Sequence, residues 1–309
     1  MGNLFYKSCS FFVRLCRSLN YFYENFRRRN FDYFNYIQLS KFFQVPILLS
    51  YPANRFYGIH KSLKKKFHRW WLPRKYVVEH GIFWSDDLRD SELKFCRDVV
   101  IITMGQQRKD FLNSHGYNCI AIGPFIKYAN YFYSSNKRQE VKKRLGKVLL
   151  VFPSHSIEGV DAVFNGRQFI NEIKNRAKQF DNVLVCLYWK DILDHREKEY
   201  IDCGFTVVTA GHRSDSYFLS RLKDLIWLSD MTMSNTLGTH LGYCISLGKP
   251  HYLFLQDISW AGDKVEEEMQ NCNKGIYEKR LFTFKRLFGT YTTVISDEQQ
   301  EIVEYYWGK

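Results

Sequence analysis

Several common signatures are missing from this sequence. No apolar run is long enough to cross a membrane, and Lys7, Arg14 and Arg17 interrupt the apolar start, so we expect neither a spanning helix nor a signal peptide. There is no GxGxxG, Walker A, GxSxG or HExxH motif, which removes the sequence signals for the enzyme classes that carry them. We find no internal repeat and no low-complexity segment.

Closely spaced cysteines are also missing. The eight cysteines stand far apart, without a CxxC pair or a Cys/His cluster at zinc spacing. Several, such as Cys186 and Cys244, lie inside apolar runs. This pattern predicts reduced, buried thiols in a cytosolic protein.

Acidic residues are scarce in the first quarter of the chain. Residues 1–75 contain 15 Lys or Arg and 2 Asp or Glu, which gives +13, the formal net charge of all 309 residues. The remainder therefore has equal numbers of both signs. A localised basic surface predicts an anionic partner, which can be phospholipid, nucleic acid or a phosphate-bearing substrate.

Residues 4–26 have the periodicity of an amphipathic helix, with Arg14 and Arg17 opposite an apolar stripe. A basic face opposite an aromatic face is typical of an interfacial membrane helix, although a helix packed on the protein's own core has the same pattern. The basic excess lies on and just after this helix, which favours an anionic membrane surface bound through residues 1–29 over nucleic acid. The stripe consists of Phe5, Cys9, Phe12, Cys16, Leu19, Tyr23 and Phe26.

Strand-like and helix-like segments alternate through the rest of the chain, which predicts βαβ units and parallel sheets. Ser296 and Gln299 have capping-box spacing and predict a C-terminal helix. The polar stretch 129–147 predicts a linker with a short helix. Predicted strands are 45–51, 76–78, 98–103, 119–122, 148–152, 182–188, 205–209, 231–233 and 251–255, and predicted helices include 58–67, 106–114, 166–179, 192–202, 214–227 and 234–248.

Two polar loops follow predicted strands of the second half, where ligands of a parallel sheet bind. In the loop and helix start at 234–240, free amides and the helix dipole attract phosphate, and Gly238 permits close backbone approach. Simple helix capping explains the same residue types. The candidate phosphate-contacting residues are Ser154, His155 and Ser156 in the first loop and Ser234, Asn235, Thr236, Gly238, Thr239 and His240 in the second.

A third candidate is Glu79-His80-Gly81, at the end of a predicted strand in the first half. A carboxylate or imidazole there could deprotonate a hydroxyl as a general base. Neighbours along a strand point to opposite faces, so Glu79 and His80 need not act together. Asp86 and Asp87 are secondary candidates, although capping of a helix accounts for them equally well.

The stretch LKDLIWLSDMTMSNTLGTHLGYCISLGKPHYLFL resembles the donor-binding domain of GT-B glycosyltransferases, in which the corresponding helix start faces the donor diphosphate. VVEHGIFW is similar to the His-Gly acceptor-side loop of capsule and teichoic-acid transferases. The resemblance covers about residues 76–256. Retaining members often carry a glutamate in the helix that corresponds to 237–247, where this chain has Thr239 and His240. The DxD pair of many metal-dependent nucleotide-sugar enzymes is also missing.

The resemblance implies an α/β protein of two Rossmann-like domains that face a cleft, preceded by the amphipathic helix. It implies transfer of a sugar from a nucleotide-activated donor, held by the second-half loops, to a lipid-linked or polysaccharide acceptor in bacterial surface-polysaccharide synthesis. His80 or Glu79 would be the base, with no cofactor and no metal. The corresponding divisions are 1–30, a basic membrane-proximal segment; 31–128, the acceptor side; 129–147, the linker; 148–290, the donor side; and 291–309, a helix returning to the first domain.

Other functions stay open at this point. Polyol-phosphate transferases and hydrolysing sugar-nucleotide epimerases use the same two-lobed frame. A non-catalytic protein that binds membrane or nucleic acid through its first 75 residues would belong to another class. We expect a cytoplasmic protein on the inner face of the cell membrane.

Overall fold

The computed structural model describes residues 2–46, 51–67, 75–84, 86, 98–263 and 274–309. The predicted strand at 45–51 falls largely on 47–50, and Asp87 also lies outside the described residues. The strands are β1 Tyr76–Val78, β2 Val100–Thr103, β3 Asn118–Ala121, β4 Val148–Phe152, β5 Asp161–Val163, β6 Asn182–Cys186, β7 Thr206–Val208, β8 Met231–Ser234, β9 His251–Leu253 and β10 Ser259–Ala261.

Helices precede, separate and follow these strands. A 3-10 segment, Pro52–Gly58, leads into the third helix. The helices are α1 Gly2–Arg28, α2 Tyr36–Ser40, α3 Ile59–Phe67, α4 Gln106–Ser114, α5 Phe125–Tyr128, α6 Ser135–Leu145, α7 Gly166–Ala177, α8 Trp189–Leu193, α9 Glu197–Ile201, α10 Phe218–Leu228, α11 Thr239–Ser246, α12 Lys274–Phe288 and α13 Asp297–Trp307.

Two separate parallel sheets form the frame. The smaller has the order β1-β2-β3, and the larger has the order β7-β6-β4-β8-β9. Every pair within them is parallel, and the register of the central pair in the larger sheet sets Leu149 opposite Val183. The predicted α/β class with parallel sheets is therefore confirmed. The antiparallel pair β5-β10 was not predicted.

A continuous apolar core joins the two sheets. Val78 and Ile102 of the smaller sheet belong to the same buried cluster as Leu150 of the larger sheet. The last helix, α13, packs on both halves. A Cβ on Gly105, just before α4, would lie 2.0 Å from the carbonyl oxygen of Tyr306. Trp307 is fully buried against α11.

Several predicted helix boundaries were wrong, and each error has a local cause. The helix predicted at 234–248 begins at Thr239, because Ser234 completes β8 and 236–238 forms a loop. The helix predicted at 192–202 is two short helices separated at His195, which has φ +58°. α10 begins at Phe218, later than the predicted Ser214. The capping box of Ser296 and Gln299 is confirmed with both of its hydrogen bonds.

The N-terminal helix lies on the body of the protein in an unusual orientation. Phe12, Leu19 and Tyr23 of the apolar stripe are 65%, 60% and 63% exposed, whereas Arg28 is fully buried. The alternative in which the stripe packs on the protein's own core is therefore wrong for these residues. Within the described chain, no helix is long and apolar enough to span a bilayer.

Candidate functional site

A cavity of about 820 Å³ lies where the carboxyl ends of strands from both sheets approach each other. It is lined by residues that follow β1, β4, β6, β7 and β8, and α12 supplies a further wall. Ligands of parallel α/β sheets bind beyond the carboxyl ends of the strands, and the volume suits a nucleotide-sized molecule. Aromatic rings form much of the wall, including Tyr57, Trp84, Phe152, Tyr188 and Tyr243.

The N-terminus of α11 opens into this cavity. Its N-cap is Gly238, and no side chain among the described residues caps it. Thr236, Gly238, Thr239 and His240 line the cavity. A Cβ on Gly238 would lie 2.7 Å from the His240 ring, so a side chain there would displace this imidazole. The arrangement leaves amides and the positive end of a helix dipole facing the cavity.

His155 and His240 are held as neutral imidazoles. The surrounding protein lowers the pKa of His155 to about 4, although its side chain is open to the cavity. Burial, with a smaller effect of His155, lowers the pKa of His240 to about 3. The His240 ring stacks on Phe152 at 4.9 Å between centroids, and among the described residues its buried Nε2 has no hydrogen-bond partner. A neutral imidazole can still donate one hydrogen bond to an anionic ligand.

Ser234 lies beneath the cavity, not on its wall. Its hydroxyl donates to the carbonyl oxygen of Thr236 at 2.9 Å and is 2.9 Å from Nε2 of buried His251. Nδ1 of His251 lies 2.8 Å from the hydroxyl oxygen of Thr232. Ser234 therefore fixes the loop before α11 and does not reach a ligand directly.

Asn235 and Ser156 also have structural contacts. The Asn235 side chain accepts from the backbone amide of Ser154 at 2.6 Å and donates to Gln256 at 3.0 Å, which ties together the loops after β4 and β8. The hydroxyl of Ser156 accepts from the amide of Ala162 at 3.2 Å. Of these residues, only Ser154 lines the cavity.

His80 and Glu79 are separated by the strand geometry. His80 lines the cavity, and its ring lies 5.4 Å from Phe56, edge to face. Glu79 is buried and forms a bidentate ion pair with Arg108, with oxygen–nitrogen distances of 2.7 to 3.1 Å. The assignment of Glu79 as a base is therefore not supported by its position. The ion pair anchors the end of β1 to α4.

The loop after His80 touches the start of α11 directly. The backbone amide of Ile82 donates to the hydroxyl oxygen of Thr239 at 3.3 Å, and a Cβ on Gly81 would lie 3.7 Å from the same oxygen. The predicted acceptor-side loop and the predicted phosphate-side helix thus meet at one edge of the cavity.

Asp86 forms an ion pair and is not placed as a base. Its carboxylate accepts from Arg280 of α12 at 2.5 Å and from Gln107. Arg280 also donates to the carbonyl oxygen of Trp84 at 2.8 Å. These contacts hold α12 against the loop that carries His80.

Sequence reasoning missed the α12 wall of the cavity. Lys274, Tyr277, Glu278 and Leu281 all line it, although no motif marks this segment. It also missed Tyr57, whose hydroxyl lies 3.2 Å from that of Tyr188. The only available signal was the aromatic content, which is high throughout the chain.

Two expectations about cysteines and metals concern the whole chain. Cys119 and Cys244 are buried free thiols, whereas Cys16 on α1 is exposed, so the prediction of buried thiols is wrong for Cys16. Across the described ranges, no group of three or more His, Cys, Asp or Glu side chains could hold a metal ion.

Comparisons with known proteins give distant structural similarity only. No model of a known protein family matches the sequence, and no curated protein matches it. Three solved structures are similar to the chain. A glycosyltransferase from Rickettsia africae ESF-5 is 12% identical over 75% of this chain and 66% of its own, with a TM-score of 0.35. The wall teichoic acid polymerase TagF is 13% identical over 74% of this chain and 66% of its own, with a TM-score of 0.36. A co-structure of S. aureus MnaA with UDP is 11% identical over 80% of each chain, with a TM-score of 0.35.

Proposed function

We propose that this chain is a glycosyltransferase that binds a nucleotide-activated sugar in the cavity between its two sheets. The observation that carries the proposal is the meeting of His80 and the uncapped N-terminus of α11 in one cavity of about 820 Å³. One side offers a possible proton acceptor and the other a site for anionic oxygens. Transfer of a group from a diphosphate to a hydroxyl needs both.

The donor diphosphate is assigned to the start of α11. Its free amides and dipole favour negative charge, and the hydroxyl of Thr239 adds a donor. The unpartnered Nε2 of His240 adds another hydrogen-bonding group next to Gly238. These groups would neutralise the leaving phosphate in a mechanism without a metal ion.

The acceptor hydroxyl is assigned to the side of the cavity that carries His80. The imidazole would remove the hydroxyl proton as the sugar is transferred, since a histidine with a pKa near the working pH is a suitable general base. The aromatic wall, which includes Trp84 and Tyr188, would bind the flat face of a sugar or base and exclude water.

The proposed architecture is the two-domain GT-B arrangement, with an acceptor side at 31–128, a linker at 129–147, a donor side at 148–290 and a returning helix at 291–309. It is supported by the two sheets that share no strand within the described residues and by α13, which packs on both halves. The proposed acceptor is lipid-linked or a polysaccharide, and the proposed partner of residues 1–29 is the anionic inner face of the cell membrane.

A nucleotide screen tests the proposal. The purified protein is heated with UDP, GDP, CMP, CDP and TDP in turn, and the proposal expects one or two of them to raise the melting temperature. The matching nucleotide sugar is then incubated with protein and membrane lipid extract, and sugar incorporated into lipid or polymer is counted. No stabilisation by any nucleotide would contradict the donor site. Release of a free epimerised sugar without incorporation would favour an epimerase.

A further inference from the structure

The helix α1 is attached to the protein through its polar face. Arg28 donates to the carbonyl oxygen of Leu39 at 2.6 Å and to Glu24 at 3.2 Å, and its guanidinium lies 3.8 Å from the carboxylate of buried Asp215. Earlier on the same face, Arg17 donates to the carbonyl oxygen of Val45 at 2.7 Å. Burying these charged groups is favourable only because each has several partners.

Two further residues of this face contact the loop before α10. The hydroxyl of Tyr21 lies 3.2 Å from that of Ser216, and the side chain of Asn25 accepts from the amide of Ser216 at 2.8 Å. Tyr21 is also buried against Phe43. The contacts extend from residue 17 to residue 28, so they fix the rotation of the helix about its axis.

The opposite face of α1 is apolar and exposed. Successive residues of a helix are turned by about 100°, so side chains three and four apart share a face. Soluble proteins seldom leave so many large side chains together in water. The exposed set on this face comprises Phe11, Phe12, Leu15, Leu19, Phe22, Tyr23 and Phe26.

The C-terminal end of α1 borders a second, smaller cavity of about 230 Å³. Its wall includes Arg29 and Lys61 together with polar groups of Ser62, Asn130 and Ser216. The Lys61 amine lies 3.5 Å from the centre of the Tyr217 ring, and the Arg29 guanidinium lies 3.9 Å from that of Phe26. Among the described residues, neither cation is in a salt bridge. Two cations and several hydroxyl or amide groups around a small cavity match a phosphate.

We propose that α1 docks on an anionic bilayer with its apolar face inserted, and that the cavity lined by Arg29 and Lys61 binds the phosphate of a lipid headgroup. Charge decides between a bilayer and a second copy of the chain. The first 75 residues carry +13, so two copies joined through α1 would bring like charges together, whereas an anionic leaflet neutralises them. The inference rests on the proposed membrane partner and is independent of sugar transfer.

Point substitutions test this more sharply than deletion of the helix, because deletion would also remove buried Tyr21 and Arg28. Vesicles of phosphatidylcholine alone, or with phosphatidylglycerol, are sedimented with the full-length protein. We expect binding to the anionic vesicles that weakens as salt is added. The double variant Phe12→Ser/Leu19→Ser should lose at least about tenfold in partition coefficient, with an unchanged melting temperature.

The matched control for the apolar face is Phe282→Ser/Val294→Ser, which removes two other exposed apolar side chains and should bind like the wild type. For the cavity, Lys61→Met should reduce the preference for anionic vesicles by about fivefold, the effect expected of one lysine near the surface. Lys198→Met changes the net charge equally at an exposed site on α9 and should have a smaller effect.

Several results would overturn the proposal. They are wild-type vesicle binding by Phe12→Ser/Leu19→Ser, equal effects of Lys61→Met and Lys198→Met, and a concentration-dependent dimer that the serine variant abolishes while vesicles are not bound. Nucleotide stabilisation is measured on the same variants. If it persists while vesicle binding is absent from the wild type, the docking proposal fails and the donor site stands.

Discussion

The backbone amide of Ile82 donates a hydrogen bond to Oγ1 of Thr239 across the boundary between the two sheets, at 3.3 Å. Ile82 lies two residues after His80, and Thr239 is the first residue of α11. A change at Thr239 therefore acts on the proposed phosphate site and on the position of the proposed base at once. The substrate that binds there would contact groups whose spacing this hydrogen bond sets.

Replacing Thr239 by valine keeps the side-chain shape and removes the hydroxyl. We expect the Kd of the stabilising nucleotide to rise roughly tenfold, since a hydrogen bond to a charged group contributes about 1.5–3 kcal/mol. Isothermal titration calorimetry measures the change. Thr293→Val, at an exposed threonine outside the cavity lining, is the control and should bind normally. Equal affinities of the two variants would count against phosphate binding at α11.

Removal of the His80 imidazole separates catalysis from architecture. His80→Ala should slow transfer by on the order of a hundredfold or more, the usual loss when a general base is removed, with little effect on nucleotide affinity. Melting temperature is measured alongside turnover. His115→Ala removes an exposed histidine at the end of α4 and should keep normal turnover. A parallel fall of turnover and melting temperature in His80→Ala would indicate a structural role for this residue.

Glu79→Gln should destabilise the fold and leave the chemistry of folded molecules intact. The substitution leaves the buried guanidinium of Arg108 without its counter-charge, and breaking a buried pair from one side usually costs about 3–5 kcal/mol. Urea unfolding gives the stability, and turnover is normalised to the folded fraction. A hundredfold loss per folded molecule would restore Glu79 as a base. The double variant Glu79→Gln/Arg108→Gln should recover part of the lost stability.

Gly242→Ala should displace the C-terminal helix. The added Cβ would lie 2.0 Å from the Trp307 ring, and overpacking of this kind costs about 1–3 kcal/mol. Because Trp307 also donates to the carbonyl oxygen of Thr239 at 3.0 Å, nucleotide binding should weaken as well. Gly166→Ala is the control, since its new Cβ would meet only the end of the Glu199 side chain. Normal stability of Gly242→Ala would show that α13 tolerates displacement.

Acid should destabilise the protein through His212. Burial first, and then Arg28 and Arg213, lower the pKa of its imidazole to about 2, so the folded protein keeps it neutral. Below pH 6.5 the unfolded chain binds a proton that the folded chain does not, so the free energy of unfolding falls as pH falls. The contribution lost between pH 7 and pH 5 is about 2 kcal/mol.

His212→Asn checks this contribution, because Nδ1 of His212 accepts from the amide of Ser214 at 3.1 Å and an asparagine oxygen can replace it. Urea unfolding at pH 7 and pH 5 should show a smaller pH effect in the variant, whatever its overall stability. An identical pH effect in the variant and the wild type would contradict a neutral His212 in the fold.

The parts of the fold that could be predicted are those with local signals. Residues 148–152 are an uninterrupted apolar run, and Ser296 with Gln299 has capping-box spacing, so β4 and α13 were found with nearly correct bounds. Ser234 was assigned to a helix start because its hydroxyl suits a cap. Its actual partner, His251, lies 17 residues later, and no local pattern reveals that contact.

The candidate site was predictable to the extent that strand ends can be recognised. The loops with His80, His155 and Thr239 follow predicted strands, and all three residues line one cavity. Which neighbours turn away was not predictable, because it depends on distant partners. Glu79 pairs with Arg108, which is 29 positions away, and α1 turns its stripe outward because Arg28 is held near Asp215.

The packing of Trp307 has a consequence for the order in which the protein is made. The carbonyl of Thr239 receives its hydrogen bond from a residue 68 positions later. During synthesis, β4, β6 and β8 can pair before that tryptophan leaves the ribosome, but the helix beside the cavity then lacks its last partner. Contacts so distant in sequence form slowly, and domains fold as the chain emerges. The nascent protein would therefore remain unable to bind a donor until its final helix has docked.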